Sequence, residues 1–180
     1  MRATGIVRRI DDLGRVVIPK EIRRTLKIRE GDPLEIYTNN GGEVIFKKYS
    51  PLGEMTTFAE QYAEVLNRIS KAPVIITDRD QVVAVSGISK KEYNRRPVSD
   101  SLDQLMEQRT SYTANKNNIG RFTAIQGVDR PATVAYPILS SGDITGSVVL
   151  LSGDTTALPT DTDCKLAQAA AAFLGKQNED

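Results

Sequence analysis

Histidine is absent from the 180 residues. Its absence removes Ser-His-Asp and Cys-His catalysis and the imidazole ligands on which most zinc and iron sites depend. A single cysteine, Cys164, excludes an internal disulfide and an all-cysteine zinc centre. Tryptophan is also missing, and the longest apolar run is six residues. A bilayer span needs about 20, so no membrane segment is expected. Met1-Arg2-Ala3-Thr4-Gly5 leads into no apolar signal core, which predicts a cytoplasmic rather than a secreted chain. What is present is ordinary: 39% apolar and 26% charged residues describe a globular protein, neither disordered nor fibrous. The length suits one large domain or two small ones.

No catalytic constellation emerges from what remains. Asp78 and Asp80 are a carboxylate pair, but they flank a turn, and the turn preference of Asp accounts for them better than acid–base chemistry. Cys164 falls near the start of a helix with only Lys165 as a basic neighbour, so it reads as a structural thiol. Gly142 and Gly146 match neither a phosphate loop nor a dinucleotide fingerprint, and a hairpin turn explains them. The stretch Ser86–Lys91 reads as a solvated loop rather than an anion site. No enzyme, no metal and no cofactor is expected.

Charge is unevenly spread. Residues 1–52 hold eleven Lys/Arg against seven Asp/Glu, whereas residues 53–180 hold thirteen against sixteen. Within residues 1–29 alone there are nine bases and three acids. Pairing with Asp11, Asp12 and Glu21 cannot neutralise them, so positive potential remains for a polyanion. The bases are mostly arginine, whose planar fork pairs bidentately with phosphate or with guanine O6 and N7.

Periodicity divides the chain. In residues 1–52 short strands are expected over Gly5–Ile10, Arg15–Ile18, Leu34–Thr38 and Glu43–Lys48. Asn39-Asn40-Gly41-Gly42 makes the last two a hairpin, and Asp11-Asp12-Leu13-Gly14 is a turn with Gly14 left-handed. Pro19 opens a short helix, Lys20–Leu26. About fifty residues without metal or disulfide cannot bury a sufficient core alone, so this unit is expected to be a homodimer. Ser50-Pro51-Leu52-Gly53 is the expected boundary. Residues 53–71 form a linking helix in which Met55, Phe58, Tyr62, Val65 and Ile69 recur at three and four. That stripe is either a coiled-coil seam on a dimer or the face of a helix packed on its own domain. Residues 56–180 read as an α+β domain. Its strands are expected at Pro73–Thr77, Gln81–Ser86, Phe122–Ile125, Ala132–Ile138 and Ile144–Ser152. Its helices are expected at Ser99–Gln108 and Asp161–Gly175, with Leu166, Ala170, Phe173 and Leu174 inward. One antiparallel sheet flanked by helices follows.

The run from Thr4-Gly5-Ile6-Val7-Arg8-Arg9-Ile10 through Asp11-Asp12-Leu13-Gly14-Arg15 to Val16-Val17-Ile18-Pro19-Lys20-Glu21-Ile22-Arg23-Arg24-Thr25-Leu26 resembles the DNA-binding domain of the AbrB family of bacterial transition-state regulators. The match continues through Gly31-Asp32-Pro33-Leu34-Glu35-Ile36-Tyr37 to Lys47-Lys48-Tyr49. In the second half, Tyr136-Pro137-Ile138, Gly142 and Gly146-Ser147-Val148-Val149-Leu150 are similar to the late hairpin of GAF domains. The resemblance implies an all-β swapped-hairpin barrel, homodimeric, followed by a GAF-like regulatory and oligomerisation domain. It implies a sporulation transcription regulator, activator and repressor, bound to double-stranded DNA at the nucleoid. By position, Arg8, Arg15, Arg23 and Arg24 would contact DNA, and charge adds Arg9 and Lys20 as phosphate contacts. A homotetramer through the C-terminal domains is expected, and a small-molecule ligand there is left open. Two rivals remain: an antitoxin-like binder, and a metabolite sensor whose N-terminal domain only dimerises.

Overall fold

The computed structural model describes residues 4–153 and 157–177. The chain forms two compact units, Met1–Tyr49 and Ser50–Asp180.

In the first unit, α1 (Lys20–Thr25) starts after Pro19, its N-cap. Proline pre-sets the required φ, and its missing N–H had no helical partner there. A hairpin follows, β1 (Leu34–Thr38) and β2 (Val44–Lys48), in register Ile36↔Phe46. Its turn is tied by the Asn39 side-chain oxygen, which accepts from the Gly41 and Glu43 amides at 3.0 Å each. Gly14 takes φ +76° at the earlier turn, a conformation open to glycine without steric penalty.

The strands expected over Gly5–Ile10 and Arg15–Ile18 do not form a ladder within one chain. Only the turn between them is closed: the Asp11 amide donates to the Arg15 carbonyl at 3.0 Å and the Gly14 amide to the Asp11 carbonyl at 3.0 Å. Their β-branched residues call for a sheet, but a ladder needs a second row of backbone groups. The unit also has no core of its own. Pro19 is the one buried residue between positions 4 and 49, and Val7, Ile10, Val17 and Ile36 stand uncovered.

The second unit is a five-stranded antiparallel sheet of order β4-β3-β7-β6-β5. The strands are β3 (Val74–Asp78), β4 (Val82–Ser86), β5 (Tyr112–Thr113), β6 (Ala132–Ser140) and β7 (Asp143–Leu151). Helices cover both faces. On one lie α2 (Pro51–Glu54), α3 (Thr56–Ser70) and α6 (Asp161–Gln177), burying Leu52, Ala59, Ala63, Leu66, Ala170 and Leu174 over Val74, Ile76, Val148 and Leu150. On the other lie α4 (Lys90–Tyr93) and α5 (Asp100–Glu107), burying Tyr93, Leu102 and Met106 over Ile75, Ala135 and Val149. The central strands β3 and β7 are therefore near-continuous apolar runs, because both of their faces are dry.

Two expectations need correction. Phe122–Ile125 is not a strand; Thr123 and Ile125 make isolated bridges to Pro131 and Val98. The sheet is completed instead by the two-residue β5, too short for alternation to reveal. Phe173 is not inward: Ala167, Ala170, Ala171, Leu174 and Gly175 take the buried face of α6. Phe173 instead stacks on Tyr62, with ring centroids 5.5 Å apart, and lies 6.0 Å from Phe58.

The α3 stripe resolves in the same way. Small residues, Ala59 and Ala63, pack α3 onto the sheet with Leu66, while Val65 and Ile69 are exposed. Helix α6 is capped by Thr160, whose hydroxyl accepts from the Asp163 amide at 3.2 Å, while the Asp163 carboxylate accepts from the Thr160 amide at 2.8 Å. That is a reciprocal capping arrangement.

Candidate nucleic-acid interface

The basic side chains are placed by two local devices. The first is the turn. Asp11 Oδ1 accepts from the amides of Leu13 (3.1 Å) and Arg15 (2.8 Å), and its Oδ2 accepts from Arg15 Nε at 2.9 Å. These bonds, the Arg15 amide foremost, hold the Asp11 carboxyl below its ordinary range. Asp11 thus aims Arg15 while leaving the guanidinium mostly exposed. The second device is α1, which carries Lys20, Arg23 and Arg24 in little more than one turn. Lys20 and Arg24 are exposed, Arg23 is half-buried, and Arg8 and Arg9 are exposed ahead of the turn.

Of the acids Asp11, Asp12 and Glu21 available to pair with these bases, Asp11 pairs with Arg15. The side chains of Arg8, Arg9, Lys20, Arg23 and Arg24 meet no acid among the described residues. The turn joins Arg15 to the segment bearing Arg8 and Arg9. Among the described residues, no hydrogen bond or ion pair within one chain ties that segment to the α1 set. The sequence reading missed Asp11 as a positioning residue, although an Asp four residues before an Arg across a Gly turn is a readable signal.

The hairpin end of the unit is braced. Lys48 Nζ donates to the Lys27 carbonyl at 2.9 Å and lies 3.9 Å from Asp32. Asp32 also accepts from the Arg29 amide at 2.8 Å. These bonds fix Lys27 and Arg29, just after α1.

The second unit has two polar features. Asp78 is buried at the β3–β4 turn, and burial pushes its carboxyl above the usual range. Its Oδ1 accepts from the amides of Asp80 and Gln81 at 2.8 Å each, and its Oδ2 accepts from the Ser50 hydroxyl at 3.0 Å. The pair Asp78 and Asp80 is therefore turn chemistry. The other feature is a cleft of ≈ 630 Å³ lined by Gly87–Ser89, Glu92 and Tyr93 on one side and Gly127–Arg130 on the other. Cys164 lies 3.7 Å from the Thr113 hydroxyl, half-buried. Among the described residues no group of acids and cysteine could hold a metal ion, and no helix is long and apolar enough to cross a membrane.

Comparison with known proteins extends these observations. Residues 54–179 match the family described as stage V sporulation protein T C-terminal, transcription factor. Residues 7–53 match the antidote-toxin recognition family of MazE, a bacterial antitoxin. The chain is 48% identical over 181 residues to stage V sporulation protein T of Bacillus subtilis, covering 99% of both. It is 61% identical over 51 residues to the transition state regulatory protein AbrB of the same organism, covering 28% of this chain and 52% of that one. Among solved structures, the N-domain of the transcription factor AbrB aligns with 28% of this chain and 96% of its own, at 61% identity and a TM-score of 0.26. The GAF domain of the nutrient sensor CodY from Clostridium difficile aligns with 88% of this chain and 93% of its own, at 18% identity and a TM-score of 0.45.

An AbrB-type N-terminal unit joined to a second folded unit defines a bacterial transcription regulator. The chain belongs to the stage V sporulation protein T family, and the match runs through both units.

Proposed function

We propose that the chain is a sequence-selective, non-catalytic DNA-binding regulator of spore-formation genes, acting as activator and repressor on cytoplasmic, nucleoid DNA. Arg8, Arg15, Arg23 and Arg24 reach the major groove, and Arg9 and Lys20 hold phosphates. One observation carries this reading: among the described residues, five of these six cations meet no acid, in a unit whose own apolar side chains are uncovered. A second copy that pairs with residues 5–10 and 15–18 covers Val7, Ile10 and Val17 and closes a swapped-hairpin barrel. A two-fold axis then sets two arginine groups on one face. Their forks read guanine edges, and DNA bendability supplies the rest of the specificity.

The test is the salt dependence of duplex binding by the full chain. Between about 50 and 200 mM salt, affinity is expected to fall 10³- to 10⁵-fold, the range for about 6–10 phosphate contacts. A shallow dependence, or a stable monomer at micromolar concentration, rejects the reading. A MazE-like antitoxin is the rival, but such chains end in a toxin-wrapping tail, whereas residues 50–153 and 157–177 here build a sheet with helices on both faces. A co-purifying small toxin would revive it.

We assign the second unit to assembly and signal reception. Val65, Ile69 and Phe173 are exposed beside the half-buried Phe58 and Tyr62, an apolar strip along α3 and α6 suited to a second copy and hence to a tetramer of two dimers. Val65→Asp with Ile69→Asp is expected to halve the mass seen in sedimentation while the protein stays folded, because both side chains are already exposed. Unchanged mass rejects the strip as the interface. The cleft at Gly87–Tyr93 has the volume of a small-molecule site. A ligand there would act through α3 as a coupling between sites. If no metabolite shifts the melting temperature or the DNA affinity of the full chain, the sensing role falls.

A further inference from the structure

The second unit is acidic overall, yet four of its thirteen bases, Lys90, Lys91, Arg95 and Arg96, crowd into seven positions with one acid, Glu92. All four are exposed. A charge run of this kind is usually a solvated face, and three observations set this one apart.

The backbone beneath the bases is fixed. Tyr93 is buried in the core. The Arg95 amide donates to the Val82 carbonyl at 3.1 Å, and the Val82 amide donates to the Arg96 carbonyl at 2.9 Å, lacing the segment to the outer strand β4. Gln81 bridges to Pro97 beside them. Arg95 is held at φ +59°, the left-handed region that a long side chain seldom enters. It shares this helix-end conformation with Lys27, Lys71 and Arg109, and here it fixes the direction in which the chain leaves α4.

The bases are also largely uncompensated. Lys90 pairs with Glu60 at 3.2 Å, and Arg96 Nε donates to the Glu92 carbonyl. Lys91 and Arg95 meet no acid among the described residues. Finally, edge protection does not explain the charge. Lysines often guard a free strand edge, but the 95–97 backbone already covers β4.

We propose that this ledge is a second duplex contact, at which Lys91, Arg95 and Arg96 take backbone phosphates flanking the site gripped by the N-terminal unit. The inference rests on the DNA-binding reading. DNA is favoured over an acidic protein because the chain itself delivers it. Both units belong to one chain, so a duplex held by one is at high effective concentration for the other. The ledge reads charge, not sequence.

The full-length Lys91→Glu/Arg95→Glu variant, with Lys91→Gln/Arg95→Gln as the milder form, is titrated with mixed-sequence duplexes of about 16 and about 60 base pairs at several salt concentrations. On the long duplex, the slope of log affinity against log salt is expected to become shallower by about 0.9 for each phosphate no longer neutralised, so by about 2 for each engaged protomer. On the short duplex the slope stays as in the parent chain. An unchanged slope on the long duplex leaves the ledge to an acidic protein and overturns the proposal. An equal change on both duplexes reduces it to a general charge effect and also overturns it. If the parent chain binds neither duplex, the DNA-binding reading itself has failed.

Discussion

Replacing Arg8, Arg15, Arg23 and Arg24 together by alanine should lower DNA affinity at least 1,000-fold while leaving the melting temperature of the full chain nearly unchanged. Each arginine that contacts a base contributes about 1–3 kcal/mol, so four contributions of about 1 kcal/mol already amount to about three decades. Folding should survive because three of the four meet no acid among the described residues. The fourth, Arg15, has the Asp11 pair, but its side chain is 68% exposed, and exposed pairs of this kind contribute little to stability. Fluorescence anisotropy on a labelled duplex reads the first quantity and a thermal melt the second. Affinity retained after all four substitutions would leave the N-terminal unit as a dimerisation device only. A comparable fall in melting temperature would assign the arginines to holding the unit together.

Gly146→Ala should act in the opposite manner, unfolding without touching the basic face. A Cβ at position 146 would stand 1.9 Å from the Thr77 carbonyl oxygen and 2.7 Å from Leu52 Cδ1. Gly146 lies on β7 opposite Asp78, in the middle of the sheet. Strands about 4.8 Å apart cannot separate locally without breaking their ladder. Next to it, Thr77 and Ser147 share a buried hydroxyl hydrogen bond of 2.7 Å, which any separation would also break. Overpacking of this kind costs about 3 kcal/mol, or more where backbone is struck. For a chain of this size that lowers the melting temperature by about 6–12 °C. Gly153→Ala is the control: nothing lies within 4 Å of the position a Cβ would take there. Similar melts for the two variants would refute the close approach.

The same close approach shows why the linking segment is firm. Leu52 is fully buried against β7, and Ser50 caps α2 by accepting from the Gly53 amide at 3.0 Å while its hydroxyl donates to Asp78. The boundary-like Ser-Pro-Leu-Gly composition is thus the first packed turn of the second unit.

Much of this was legible beforehand, and for local reasons. Pro19 and the Asn39–Gly42 turn act within a few residues, so α1 and the β1–β2 hairpin lie within a residue or two of expectation. The unbroken apolar runs at 74–76 and 148–151 announce central strands. β5 and the bridges of Thr123 and Ile125 were illegible because their pairing is set by distant partners, Ala135, Pro131 and Val98, and not by their own alternation. Phe173 follows the helical period of its neighbours, but α3 approaches α6 closely enough to draw its ring outward onto Tyr62.

The sequence by itself determined which chemistry is absent, where the excess positive charge lies and which segments favour strand or helix. These follow from residue types and short-range backbone preference. Tertiary structure alone decided which face of α3 packs on the sheet and which arginines stand apart from acids. Each of those depends on what surrounds a side chain in space, and burial and pairing are properties of surroundings that no single position carries.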